Sequence, residues 1–446
     1  MIDRDRRTIA EIGPLLERRA VSSTRLVEQC LTRIEARRDL NAFITVMAER
    51  ALEQAAQADG EIGAGCYRGP LHGVPVSVKD LVHVAGVPTT SGSAVPALHP
   101  AADAPVVQRL RAAGAVIVGK TNLHEFAFGT TGEDTAFGQI RNPFDTTRSA
   151  GGSSSGAAVA LVEGMSFASI GTDTGGSVRI PAAACGTVGL KPTHGEVPVE
   201  GVVPLSRTCD HVGPLTRTVG DARILFEILA AAPIPAMPVR TLRLGVPRGH
   251  LLARLDAEVR DMLANVRSQL ARDGWTVEDV EIDHSEITPD VYLHIVLAEA
   301  SEYHAATLDT DASGYSPAVR LRLELGRYVL AEDYVRALRL REMLAASVDR
   351  ALSTCDALLL PALSIPAPPL GASTVDIDGT PEPVRAAMLR LTQLFNLTGH
   401  PAVAVPAGRT RAGLPLGIQL VGARHRTGRL LDVAEAVEAR LAADVA

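Results

Sequence analysis

Residues 150–160 read AGGSSSGAAVA, two glycines and three consecutive serines at the mouth of an alanine-rich helical segment. Three readings compete for such a stretch: a phosphate cradle, a nucleophile-bearing turn, or a flexible joint. A phosphate loop needs a lysine and a Ser/Thr after its last glycine, and here Gly156 is followed by Ala157, Ala158 and Val159. A nucleophile elbow matches better, because Gly152 to Gly156 satisfies G-x-S-x-G. Its setting argues against it. An elbow leaves a buried strand directly, whereas the preceding QIRNPFDTTRSA (residues 139–150) is a polar, proline-containing loop.

Downstream, IGTDTGGSVRIPAAACG (Ile170 to Gly186) is a second Gly/Ser loop, entered from a short apolar segment and followed by another helical one. Its Asp173-Thr174-Gly175 has the form of an aspartic-protease motif, but such an enzyme needs two of them, and this chain offers one. Upstream, HGVPVSVKD (His72 to Asp80) alternates like a strand, with Val74, Val76 and Val78 on one face and Ser77 and Lys79 on the other. One chemistry uses all three stretches. Serine attack on an amide carbonyl requires a base for the hydroxyl proton and donors for the developing oxyanion. Neither serine loop contains a histidine, but a lysine can act as base when burial holds it neutral. Lys79, set between Val78 and Leu81, is the candidate; Lys120 and Lys191 compete with it. A second serine can relay the proton, and the backbone N–H groups of Thr174, Gly175 and Gly176 can form an anion-binding nest.

The rest of the chain sets bounds. Its 446 residues, 46% of them apolar, are ample for a large core, and a net charge of −7 without a Lys/Arg run gives no footprint for nucleic acid or an anionic membrane. The charged start MIDRDRRTIAEIGP lacks the apolar stretch of a signal peptide, so a cytoplasmic location is expected. Five cysteines, Cys30, Cys66, Cys185, Cys209 and Cys355, stand far apart with no C-x-x-C pair, and twelve histidines include no H-E-x-x-H. Reduced core cysteines, no metal and no cofactor are expected.

Helical and strand patterns interleave throughout. A helix begins near Thr24 with Ser22 or Ser23 as cap; strands are expected at residues 115–118, TLRLGVP, DALLLP, AVAVP and LGIQLVG; helices are expected at about 256–272 and 328–352. Apolar rather than alternating strands imply an α/β fold, a mixed, mostly parallel sheet covered by helices on both faces. The proline-rich APIPAMPVR (residues 232–240) could link two domains, yet the same element types continue past it, so one domain over 1–446 is expected. The aperiodic stretch 364–384 reads equally as a pocket rim and as an inert loop.

With GVPVSVKDLVHVAGVPTTSGS, GKTNLHEFAFG, RNPFDTTRSAGGSSSGAAVALV, GTDTGGSVRIPAAACGTVGLKPTHG, DHVGPLTRTVGDA and FNLTGHPAVAVPAG, the chain resembles the amidase signature family of Ser-Ser-Lys amide hydrolases. The likeness is most specific over residues 72–221 and looser over 231–446. It implies that family's fold, no cofactor, Lys79 as base, Ser153 as bridging serine after a cis Gly152–Ser153 peptide bond, and Ser177 as acylated nucleophile. The 24-residue step between the two serines fits the family pattern. It further implies an oxyanion hole of Thr174, Gly175 and Gly176, with Ser154, Ser155, Asp173 and Arg179 in support. Arg179 could also meet an anionic substrate.

The resemblance leaves the substrate open among fatty-acid amides, arylamides, ureides, malonamide and the glutamine of tRNA-dependent amidotransferases. Phe126, Phe128 and Thr130 are candidate pocket residues, and Arg341 is a weak match to the amidotransferase arginine that holds the glutamine carboxylate. His124 stands where the glutaminase component of those amidotransferases usually has an acidic residue, and Ser155 replaces a common glycine. A free-standing hydrolase of a small amide or ureide is therefore expected. The alternatives are the glutaminase component of an amidotransferase, or a non-catalytic protein of the same fold. The expected partner is the small-molecule amide, and a homodimer stays open.

Overall fold

Thirteen strands are found among the described residues: β1 (Phe43–Val46), β2 (Pro75–Lys79), β3 (Val116–Thr121), β4 (Ala168–Asp173), β5 (Val188–Lys191), β6 (His211–Thr216), β7 (Arg243–Pro247), β8 (Thr276–Val280), β9 (Ala357–Pro361), β10 (Thr374–Ile377), β11 (Thr380–Pro383), β12 (Ala402–Arg409) and β13 (Pro415–Val421). The computed structural model describes residues 7–443 except 238 and 240, so the first six residues and those two positions of the proline-rich stretch lie outside the described residues. Eleven strands form one sheet in the order β1-β3-β2-β4-β6-β5-β12-β13-β9-β7-β8. The architecture is the expected mixed α/β sheet flanked by helices, but it is not mostly parallel as expected: six of its ten strand pairings are antiparallel. Parallel pairing is confined to β3-β2-β4 and β9-β7-β8 at its flanks, while the strands from β4 to β9 alternate in direction.

Every residue of β2, β3 and β4 is buried, including the polar Ser77, Lys79, Lys120, Thr172 and Asp173. The Ser155–Val162 helix packs against β2, β3, β4 and β6. Only Val162 on it escapes full burial, so it has no polar face. Its alanines follow from that close fit: a Cβ on Gly156 would stand 2.2 Å from the Ala42 carbonyl oxygen and 2.7 Å from that of Asn122. The Arg179–Cys185 helix packs on β5, β12 and β13, and the Asp173 carboxylate accepts the Val178 and Arg179 N–H groups at its start.

Farther along, the helices Thr288–Thr310, Pro317–Gly326 and Ala331–Leu352 pack together, and the first also meets the short Gln393–Leu397 helix. The stretch 364–384 is not wholly irregular, since β10 and β11 form an antiparallel hairpin within it. All five cysteines are free; Cys30, Cys185 and Cys209 are buried as expected, but Cys66 is exposed at the end of a helix and Cys355 is only half-buried. No helix among the described residues is long and apolar enough to cross a membrane.

Candidate active site

The end of β2 delivers Lys79 to the serine loops. Its side chain is completely buried, and Nζ lies 2.7 Å from Ser153 Oγ and 2.8 Å from Thr172 Oγ1 on the adjacent strand β4. No carboxylate among the described residues touches it. Burial lowers its pKa to about 7, against the opposing pull of the more distant Asp173 and Asp210. The two other lysines are equally buried but lead elsewhere. Lys120 forms an ion pair with Asp80 at 2.6 Å and hydrogen bonds to Thr89 Oγ1 and the Pro88 carbonyl; Lys191 Nζ lies 3.2 Å from His211 Nε2 and donates to the Pro192 carbonyl.

The Gly152–Ser153 peptide bond is cis. Ser154 N–H donates to the Ser177 carbonyl over 3.2 Å, tying the two loops together. The Ser154 hydroxyl donates to the Thr172 carbonyl, and that of Ser155 donates to Gly151. Ser177 is 6% exposed, and its hydroxyl makes no hydrogen bond to protein among the described residues. The backbone N–H groups of Gly175 and Gly176 are likewise without a protein acceptor among those residues. Gly176 has φ +137°, a conformation that a side chain would strain, and a methyl group there would strike Thr392 Oγ1 at 2.3 Å.

Charges below the loop are tightly matched. Arg179 is fully buried; it binds Asp173 through Nε and Nη2, both at 3.0 Å, and also donates to Gln419, Asn396 and the Thr392 carbonyl. Burial alone would raise the Asp173 pKa, but Arg179 outweighs it and holds the carboxyl well below its usual range. The reading of Arg179 as a substrate anion holder does not fit, because its guanidinium is enclosed and occupied. Asp210 opens the DHVGPLTRTVGDA stretch but is not singled out there. It accepts the Thr174 hydroxyl at 2.5 Å and the Leu205 and Ser206 N–H groups, and burial raises its pKa to about 6.

One cavity is lined by Thr174, and a second shares Tyr292 and Leu389 with the surroundings of Gly175. The first, of about 30 Å³, is lined by Leu81, Ala127, Thr172, Thr174, Asp210 and His211. The second, of about 350 Å³, is lined by Tyr292, Arg385, Leu389 and Gln393 among others, and Tyr292 and Leu389 also press on Gly175. Phe128, a candidate pocket residue, lies between the guanidinium groups of Arg322 and Arg385, 5.8 and 5.7 Å from its ring centre. Thr130 is buried with its backbone against Gly152. Phe126 instead packs edge-on to His304 at 4.4 Å and against Tyr315, away from open space. Arg341 makes no hydrogen bond or ion pair among the described residues, and its field is felt by Cys209, His194 and Tyr334.

Thr172, Asp210, Tyr292, Thr392, Asn396 and Arg385 are the site residues that sequence reasoning misses. Thr172, Asp210 and Asn396 carry a signal, since they stand in the GTDTGG, DHVGP and FNLTG stretches, and Asn396 donates to both the backbone and the carboxylate of Asp173. No group of three or more metal-ligating side chains occurs among the described residues.

A buried lysine on a serine hydroxyl thus lies beside backbone donors that have no protein acceptor among the described residues. The family model described as Amidase matches residues 25–431. An amidase of Pseudomonas putida is 38% identical over 98% of this chain and 95% of its own. The A subunit of the glutamyl-tRNA(Gln) amidotransferase of Anaeromyxobacter dehalogenans is also 38% identical, over 97% and 96%. A solved amidase structure superimposes with a TM-score of 0.94 at 42% identity, over 97% of this chain and all of that one. The chain belongs to the amidase family and is an amide hydrolase.

Proposed function

We propose that the protein hydrolyses a small amide by acylation of Ser177, with Ser153 as proton relay and Lys79 as the base. The observation that carries this reading is the 2.7 Å contact between Lys79 Nζ and Ser153 Oγ in a fully buried site with no carboxylate on the amine. A lysine whose pKa is about 7 offers a neutral amine at neutral pH. When substrate enters, the Ser177 hydroxyl turns to Ser153 and its oxygen attacks the amide carbon. Its proton passes to Ser153 Oγ while the Ser153 proton passes to Lys79 Nζ. The oxyanion is held by the N–H groups of the 174–176 loop. Collapse of the tetrahedral intermediate breaks the C–N bond, and the leaving nitrogen takes the proton back along the same route. Water then attacks the acyl-enzyme by the same relay and regenerates Ser177.

Asp173 and Arg179 act as a brace. The carboxylate caps the helix that follows Ser177, and the guanidinium ties it to β13 and to the Gln393–Leu397 helix. We further read residues 7–443 as one domain, because strands from both the 72–221 and 231–446 segments share the large sheet.

A free-standing amidase is favoured over the glutaminase component of an amidotransferase. Arg341, the weak match for a glutamine-carboxylate anchor, lies by Cys209 and Tyr334, whereas the larger cavity beside Gly175 is walled by other residues. A fluorophosphonate probe followed by peptide mapping should label Ser177 in the purified protein, and hydroxylamine should divert the acyl-enzyme to a hydroxamate. Label on Ser154 would return the elbow reading, and an unlabelled protein would favour a non-catalytic role.

A further inference from the structure

Arg385 is a half-buried guanidinium that no protein acceptor among the described residues explains. It makes no hydrogen bond and no ion pair among the described residues. Its contact is the face of Phe128, 5.7 Å from the ring centre, and Arg322 covers the same ring at 5.8 Å. Arg322 has compensation: it donates to the Phe128 carbonyl at 2.7 Å and feels Asp134. Arg385 has none of comparable kind. Burial lowers its pKa to about 10, Arg322 pushes the same way, and only the Tyr292 hydroxyl opposes them. A half-buried charge with no acceptor among the described residues is left to meet an anion from outside the chain.

The position of Arg385 says what that anion belongs to. It lines the 350 Å³ cavity together with Tyr292 and Leu389, and both of those residues press on Gly175, two positions before Ser177. On its other side is Phe128, in the segment whose Thr130 backbone abuts Gly152, next to Ser153. The guanidinium thus lies between elements that touch both serine loops. The cavity's other charged lining groups do not neutralise it: Arg390 is bound to Glu382, and Asp290 makes no ion pair with Arg385.

Resting on the Ser177 reading, we infer that Arg385 is a specificity residue that receives a carboxylate carried by the acyl part of the substrate, so that the preferred substrates are half-amides of short dicarboxylic acids. Arginine suits this role because its planar fork binds a carboxylate through two parallel hydrogen bonds. Hydrolysis would release ammonia and a dicarboxylate.

The test compares succinamate and glutaramate with the neutral butyramide and valeramide, and with N-acetyl-β-alanine, whose carboxylate is on the leaving side. The wild type should prefer a half-amide in kcat/KM. Arg385→Gln should lower the ratio of half-amide to neutral amide by about 10²-fold, the scale of losing one partner of a desolvated charge pair. Arg385→Lys should recover part of that ratio. Calorimetric binding of glutaramate to Ser177→Ala, with and without Arg385→Gln, reads the same contact without turnover. The melting temperature of Arg385→Gln should equal or exceed that of the wild type, since an unpaired charge is removed. Equal losses on charged and neutral amides together with a lower melting temperature would make Arg385 a structural brace and overturn the inference. So would a preference for N-acetyl-β-alanine, or glutaramate binding that ignores the substitution. A protein that binds glutaramate through Arg385 but resists fluorophosphonate labelling would instead sink only the Ser177 reading.

Discussion

Lys79 and Lys120 stand on neighbouring strands, both wholly buried, yet their surroundings give them opposite tasks. Lys120 holds the Asp80 carboxylate at 2.6 Å, and its remaining donors go to Thr89 and the Pro88 carbonyl. Lys79 meets only hydroxyls, those of Ser153 and Thr172. Burial lowers the pKa of both lysines, but at Lys120 the Asp80 carboxylate opposes that shift and the side chain joins the strand ends to the 88–90 turn. A lysine among hydroxyls loses its proton near neutrality and can accept another. Burial by itself therefore does not mark a base; the kind of atom placed at 2.7 Å does.

The comparison breaks most decisively at the reaction itself. Ser177→Ala should lower kcat by about 10⁶-fold, and Lys79→Ala or Ser153→Ala by at least about 10²–10⁴-fold, as expected for groups that act as a unit. The Lys79→Ala/Ser153→Ala double variant should lose little more than the worse single one in a kcat assay. A loss equal to the product of both single factors would rule out a shared relay.

Stability sharpens the contrast next. Lys120→Met leaves Asp80 buried without its cation and should destabilise the fold by about 3–5 kcal/mol in denaturant titrations. Lys79→Met removes a charge that folding must desolvate, so that variant should melt no lower than the wild type. The sign follows from linkage: the folded pKa is about 7 against an ordinary 10.5, so between those values the unfolded chain binds a proton that the folded chain does not. Wild-type stability from this group rises with pH across that window. The advantage of Lys79→Met should thus be largest below pH 7 and fade towards pH 10.

The pH profile of acylation is a third check. The rate should climb about tenfold per pH unit below the Lys79 pKa and level off above about 7, as the neutral amine fills. Stopped-flow acylation with an activated amide would measure it, and a rate that peaks in acid would contradict a lysine base. The smallest effect is expected at Arg341. Its replacement by Ala should lower hydrolysis of glutamine and of butyramide by the same factor, under about threefold, as for a surface change away from the chemistry. Selective loss of glutaminase activity would restore the amidotransferase reading.

Some features are readable in residues alone because they are local. The strand ending in Lys79, the serine loops and the buried helix between them each occupy a few consecutive positions, and their patterns match the elements found. The order of the sheet is not readable, because strand neighbours such as β5 and β12 are separated by some two hundred residues. The Thr288–Thr310 helix escapes sequence reading for a different reason. Its buried residues, from Val291 and Tyr292 to Val296 and Leu297, are spread around the helix and leave no clean apolar stripe.

Sequence by itself determined the class of reaction, amide hydrolysis, since the glycine loops, the serines and the strand-end lysine that carry the family resemblance can be recognised wherever they sit in space. Only the tertiary structure decided which buried lysine touches a serine, that Arg179 is spent on Asp173 and its neighbours, and that Arg385 reaches the wall of the cavity without a partner. The physical reason is range. A backbone turn is fixed by adjacent residues, but the charge state of a side chain is fixed by whatever distant segments the fold brings within about 3–4 Å of it.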